Sequence, residues 1–392
     1  MIVETNSQAC FKRNKMKRRD FLTTSSALAA GTLLTACNES NRQAIDYSKI
    51  KEKKEKKLAS VNINKNKKVI LKLATSWPAH FPIMGTGVEN FVERVKAASS
   101  GSIEIKLYPK NTLIPALAVF DAASSGEIDI FHSGPYYWKG KNSAFSLFSG
   151  MPFGMTAEEI NAWMHFGGGY ELWRKLYAKH NLYPMLGGNT NIQMGGWFRQ
   201  EIRSLADLNG LKMRVPGLGG EVFAKLGVNP ILLPAGEIYT ALERGVIDAT
   251  EWVGPFLDMK MGFYKVAPYY YSGWHEPGSI LELTFNNTKW QKLSNEHKSI
   301  LEMASEEMNS KMTYEFQAKN AVALNELRNN GVIFKSFPND VIKAAKIGLE
   351  EVITLQSSKN DDFKEVYKSA SSFLQASKSF SDISLKKYLN IR

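Results

Sequence analysis

Cysteine is nearly absent from this chain: there are two in 392 residues, Cys10 and Cys37. Two thiols exclude a disulfide framework and any thiolate metal cluster. Histidine is sparse as well, six residues at 80, 132, 165, 180, 275 and 297, without the spacing of a zinc site. There is no Gly-x-Gly-x-x-Gly after a strand pattern, no Gly-Lys-Ser/Thr phosphate loop and no Gly-x-Ser-x-Gly elbow, so nothing specific argues an enzyme. Gly167-Gly168-Gly169 and Gly219-Gly220 lack those contexts and read as turns. A membrane-spanning run is missing too. The candidate stretch, residues 21–36, is short and diluted with Ser, Thr and Gly.

Positive charge is what the chain has in excess, and it sits at one end. Of the formal +12, residues 1–36 hold six bases against two acids and residues 38–68 hold ten against four. The remainder, 69–392, is close to neutral, which disfavours nucleic acid as a partner of the folded part. The segment Lys17-Arg18-Arg19-Asp20-Phe21-Leu22 resembles a twin-arginine export signal. Leu34-Thr35-Ala36-Cys37 resembles a lipobox, whose small residues admit a peptidase and whose thiol carries the lipid. Residues 1–37 are therefore expected to be an export signal ending at lipidated Cys37, with an uncleaved anchor helix as the alternative. Residues 38–68, with Lys51 to Lys57 and Asn62 to Lys68, cannot bury a core and read as a disordered tether. Contact with anionic headgroups is a secondary reading of the same lysines.

The body alternates strands with helices. Strand patterns occur at 69–75, 103–108, 128–131, 185–187, 211–215 and 229–232, with helical spacing at 87–99 and 116–125. That alternation predicts an α/β protein with mostly parallel sheets. A weak echo supports two similar lobes: a helix runs into Gly126-Glu127-Ile128-Asp129, and another into Gly245-Val246-Ile247-Asp248. Chance recurrence of so short a match is the competing reading. Residues 293–330 lack Gly and Pro and predict a long amphipathic helix, broken once, whose methionines serve packing. Residues 339–357 and 361–391 predict further helices.

Polar residues at strand ends carry the chemistry that can be read. Arg214 closes an apolar strand before Pro216-Gly217, where its planar fork can grip a carboxylate or form an interlobe salt bridge. Gln193, Glu251 and Glu276 are oxygen donors of the kind preferred by hard cations. Taken singly, each is more often a surface or structural residue.

Taken together, these segments resemble the solute-binding proteins of tripartite ATP-independent periplasmic (TRAP) transporters, the DctP family. The nearest branch takes small 2-oxo or 2-hydroxy monocarboxylates with a cation. The resemblance spans roughly 69–345 and rests on Leu-x-Met-Arg-Val-Pro-Gly at 211–217, the run 245–255, Gly-Glu-Ile-Asp at 126–129, and Tyr269-Tyr270-Tyr271 before Gly273-Trp274. It implies a two-lobed periplasmic-binding-protein-like α/β fold of type II character. Lobe I would cover about 69–190 plus a return segment and lobe II about 191–290, followed by a long connecting helix and a helical C-terminus from 292. It implies a binding protein rather than an enzyme, with Arg214 on the ligand carboxylate. Gln193, Glu251 and the Trp252 carbonyl would hold Na⁺ or Ca²⁺, and Tyr137 and Glu276 would complete the pocket. His275 departs from the aromatic expected before that glutamate. The implied partners are a pyruvate- or lactate-like carboxylate and TRAP membrane subunits, with a homodimer left open. The implied location is the periplasm, membrane-anchored through Cys37. A lipid-anchored sensor lobe and an exported metal-dependent enzyme are the alternatives.

Overall fold

The computed structural model describes residues 68–392. The export signal, Cys37 and all but the last residue of the lysine-rich stretch lie outside the described residues. Strands follow in chain order as β1 (Val69–Thr75), β2 (Ile103–Tyr108), β3 (Ile130–Ser133), β4 (Leu182–Asn189), β5 (Gly196–Phe198) and β6 (Lys212–Arg214). They continue as β7 (Asn229–Ile231), β8 (Ala249–Thr250), β9 (Tyr269–Tyr271), β10 (Ile280–Asn286) and β11 (Ile333–Lys335). One sheet has the order β2-β1-β3-β10-β4 and the other β11-β9-β5-β8-β6-β7. Each sheet centres one lobe of an α/β fold.

The sheets are mixed rather than mostly parallel. The units β1–β2, β1–β3, β6–β7 and β6–β8 are parallel, as helical crossovers require. One strand in each sheet runs against the rest: β10 lies antiparallel between β3 and β4, and β5 lies antiparallel between β8 and β9. Strand β10 returns the chain to the first sheet from within the 191–290 stretch expected for lobe II.

Three segments cross between the sheets: 190–195 between β4 and β5, 272–279 between β9 and β10, and the helix Asn295–Asn329. That helix runs 35 residues without the expected break. Ser294 caps its first turn by accepting from His297 N at 3.2 Å, and no Gly or Pro interrupts it. At 1.5 Å per residue it extends about 52 Å, enough to pack on both lobes. Its Met308 and Met312 are buried. The region expected as one helix over 361–391 divides at Ser384 into Asp361–Ile383 and Leu385–Leu389. Gly219 and Gly220, read as a turn, lie inside the helix Gly217–Lys225. Among the described residues no helix is long and apolar enough to cross a membrane.

Buried apolar side chains form two continuous cores, each drawing on both sheets: Phe131 with Met213 in one, Leu73 with Trp197 in the other. The lobes are closed on each other. His132, on β3, is fully buried. Its Nδ1 accepts from Trp77 Nε1 at 2.7 Å, and its Nε2 donates to Gly187 O at 2.9 Å. Trp77 can only donate, so the imidazole is neutral. Burial, partly offset by the Gly187 hydrogen bond, pushes its pKa down to about 4. The unfolded chain therefore binds a proton first as the pH falls, and stability present above pH 6.5 is lost on the way to pH 4. Between pH 7 and 5 this removes about 2 kcal/mol. His132→Gln keeps an acceptor and a donor, so urea denaturation is expected to show the wild type losing that much more stability than the variant over this range. Equal losses contradict the assignment.

Candidate ligand and cation site

The site begins where two parallel strands end. Register pairs Arg214 of β6 with Thr250 of β8, and Glu251 N donates to Arg214 O at 2.9 Å. The neighbouring side chains follow: Arg214 Nη1 donates to Glu251 O at 2.7 Å and to Glu251 Oε2 at 3.1 Å. Nε reaches Leu233 O at 3.4 Å and Nη2 reaches Tyr137 Oη at 3.5 Å. The guanidinium carbon lies 5.0 Å from the centre of the Trp252 ring. Arg214 and Glu251 are each 1% exposed. Directly after them, Gly217 (φ +64°) opens a helix where a Cβ would press on Tyr136 at 3.2 Å, so the close approach of the lobes needs glycine there.

The opposite wall comes from the first lobe. After β3 the chain forms a short 3₁₀ turn, Pro135–Trp138, that carries Tyr137 to Arg214. Trp77, oriented by His132, meets Trp252 of the other lobe edge-on with ring centres 6.4 Å apart, and Phe81 meets the same ring at 6.3 Å.

The two crossing loops supply the rest. Gln193 N donates to Glu276 O at 3.0 Å, tying one crossing segment to the other, and Met194 N donates to Val253 O at 2.9 Å. Gly273 permits this contact, since a Cβ there would fall 2.0 Å from Gln193 O. The Gln193 amide donates from Nε2 to Thr190 Oγ1 at 2.9 Å. His275 is fully buried, with Nε2 3.5 Å from Glu251 Oε1, at the limit of hydrogen-bond length.

Charge is crowded among these buried side chains. Burial, reinforced by the charge of Glu251, raises the Glu276 carboxyl to about 7. Burial works against a charged His275, but the Glu251 carboxylate 3.5 Å away outweighs it and its pKa is raised. Burial likewise raises the Tyr137 hydroxyl, against the Arg214 charge. Asp258 lies beneath the Glu251–Gly254 loop, where burial raises its carboxyl to about 7 against hydrogen bonds led by Tyr270.

Two buried oxygens of these segments, Gln193 Oε1 and Glu251 Oε1, have no hydrogen-bond partner. Unpartnered buried oxygens are costly, and a carboxylate with an amide oxygen is the donor set of a hard cation. Among the described residues no three His, Cys, Asp or Glu gather as metal ligands, so a cation here depends on amide and carbonyl oxygens and on the ligand itself. The residues fit Na⁺ or Ca²⁺ and not a soft transition metal.

Arg214, Glu251, Trp252, Tyr137, Gln193 and Glu276, singled out in the sequence from five separate segments, come together at these strand ends and crossing loops. Trp77, Tyr136 and Asp258 join them without a sequence signal: Asp258 reads as an ordinary helix acid, and its neighbours are set by tertiary packing.

Residues 73–359 match the family of bacterial extracellular solute-binding proteins, family 7 (DctP). The chain is 37% identical, over 91% of its own length and 94% of the other, to the monocarboxylate 2-oxoacid-binding periplasmic protein of Nostoc sp. PCC 7120. It superposes on the TRAP periplasmic solute-binding protein of Colwellia psychrerythraea with bound calcium and pyruvate. That match has TM-score 0.82 and 41% identity, covering 83% of this chain and 100% of that one. The corresponding protein of Pseudoalteromonas atlantica T6c, with sodium and pyruvate, gives TM-score 0.81 and 40% identity, over 83% and 99%. This chain belongs to the DctP family and is a TRAP solute-binding protein.

Proposed function

We propose that this receptor binds a small 2-oxo or 2-hydroxy monocarboxylate, of which pyruvate is the type, together with Na⁺ or Ca²⁺, and releases it unchanged. The observation that carries this reading is a buried guanidinium paired with Glu251, whose Oε1 lacks a partner, together with a second unpartnered buried oxygen, Gln193 Oε1, on the crossing segment tied to Glu276. Arg214 takes the ligand carboxylate through Nη2, whose contact among the described residues is the long one to Tyr137. Gln193, Glu251 and the Trp252 carbonyl hold the cation. When bound, it supplies the positive charge that lets a ligand carboxylate sit beside Glu251 and Glu276. Tyr137 and Trp77 close the first-lobe wall and exclude water, and Glu276 lines the side formed by the crossing loop. The names of the two solved pyruvate complexes and of the Nostoc protein support the same ligand class.

Affinity has a ceiling. At about −1.5 kcal/mol per heavy atom, a ligand of roughly six heavy atoms gains at most about −9 kcal/mol, which sets Kd no lower than about 0.1–1 μM. Closure around the ligand then reports occupancy to TRAP membrane subunits. The Arg-Arg-Asp-Phe-Leu and Leu-Thr-Ala-Cys37 segments further support export to the periplasm and a lipid anchor at Cys37.

Calorimetry is expected to give micromolar pyruvate binding with Ca²⁺ or Na⁺ present, lost on chelation in a sodium-free buffer, with pyruvate recovered intact. Binding at undiminished affinity without either cation contradicts the site. Arg214→Lys replaces a fork by a point charge and is expected to weaken pyruvate at least about tenfold, the loss of one charge-assisted hydrogen bond, with the melting transition retained. Wild-type affinity in that variant removes Arg214 from the ligand. For the anchor, Cys37→Ser is expected to move the protein from the membrane to the soluble fraction of cells that produce it; unchanged partitioning rules lipidation out.

A further inference from the structure

Asp258 touches neither Arg214 nor Glu251, yet its carboxylate is committed to the loop beside them. It is 1% exposed, in the helix Pro255–Met261. One oxygen, Oδ1, accepts from Val253 N and Gly254 N, both at 3.1 Å. The other, Oδ2, accepts from Trp197 Nε1 at 3.0 Å and Tyr270 Oη at 2.7 Å. Trp197 and Tyr270 lie opposite each other on β5 and β9, with their rings stacked 3.9 Å apart. The carboxylate is thus clamped from the sheet and holds the loop with its free oxygen.

The held group is the amide of Val253, and that amide shares its peptide unit with the Trp252 carbonyl. The described residues contain no cis peptide. In a trans peptide the N–H and C=O point in opposite directions, so an N–H fixed on Asp258 fixes the Trp252 carbonyl facing away from it. The same loop is tied on its far side, where Val253 O accepts from Met194 N, next to Gln193. We infer that Asp258 is a positioning residue of the cation site: through the Val253 amide it sets the direction of the Trp252 carbonyl that serves as cation ligand. This rests on the cation reading above and deepens it. Outer groups that orient metal ligands commonly change metal affinity by about 10–100-fold when altered.

The test is calcium titration by calorimetry at saturating pyruvate, on the wild type and on Asp258→Asn. An asparagine has the same shape, but its amide nitrogen must oppose an N–H donor on one side or the other, so the clamp slackens. The calcium midpoint is expected to rise about tenfold, with pyruvate binding restored at high calcium. A merely structural Asp258 lowers the melting temperature and leaves that midpoint in place, and this result overturns the inference. Should D258N fail to fold, Tyr270→Phe removes one of the two donors on Oδ2 and is expected to raise the midpoint toward the lower end of the roughly 10–100-fold range; an unchanged midpoint overturns the inference equally. Wild-type protein that binds pyruvate without regard to calcium or sodium sinks the cation reading itself, and Asp258 with it.

Discussion

An ion pair withdrawn from water, Arg214 against Glu251, is the constraint the rest of the molecule answers to. Burying two charges is unfavourable unless geometry and extra hydrogen bonds compensate. Here the guanidinium also reaches the Glu251 and Leu233 carbonyls and the Tyr137 hydroxyl. The compensation is incomplete on the acidic side, where Glu251 Oε1 has only a long approach from His275 and Glu276 adds a second carboxyl. A buried cluster with one satisfied cation and surplus oxygen is suited to take an anion and a metal ion together, and poorly suited to take either alone.

The fold contributes by delivering strand ends and crossing loops to one place. At the far ends of β3 and β8 from the site, matching aspartates hold the neighbouring strands in register. Asp129 accepts from Lys72 N at 2.8 Å and Asp248 from Lys212 N at 2.9 Å, while each donates its own amide back to the same lysine's carbonyl. The crossing segments 190–195 and 272–279 carry Gln193, His275 and Glu276, so residues of the candidate site lie on the segments that join the two sheets. The long helix straps both lobes: Ser305 donates to Leu186 O of β4 at 2.5 Å, and Asn320 accepts from Phe256 N at 3.0 Å.

Much of this was legible in the chain itself. Arg214 declared itself as a charge ending an apolar strand before Pro-Gly, and the paired Gly-x-Ile-Asp segments marked corresponding places in two lobes. Gly126 and Gly245 both adopt positive φ at helix ends, as that pattern requires. What the chain did not disclose depends on partners remote in sequence. The antiparallel crossing strands follow from how the lobes exchange segments, which no local period records. The unbroken Asn295–Asn329 helix is sustained by packing on two lobes, where local pattern pointed to a break. Asp258, Trp77 and His132 look ordinary until their neighbours are known. The grouping of Gln193 with Glu251 came from family resemblance, since spacing alone left each of them open.

The most direct measurement is a crystal structure of the protein grown with pyruvate and calcium, with anomalous scattering to locate the ion. The account predicts the pyruvate carboxylate on the Arg214 guanidinium and the ion touching Glu251 Oε1, Gln193 Oε1 and the Trp252 carbonyl. Pyruvate bound away from Arg214, or an ion coordinated by none of those three oxygens, contradicts it.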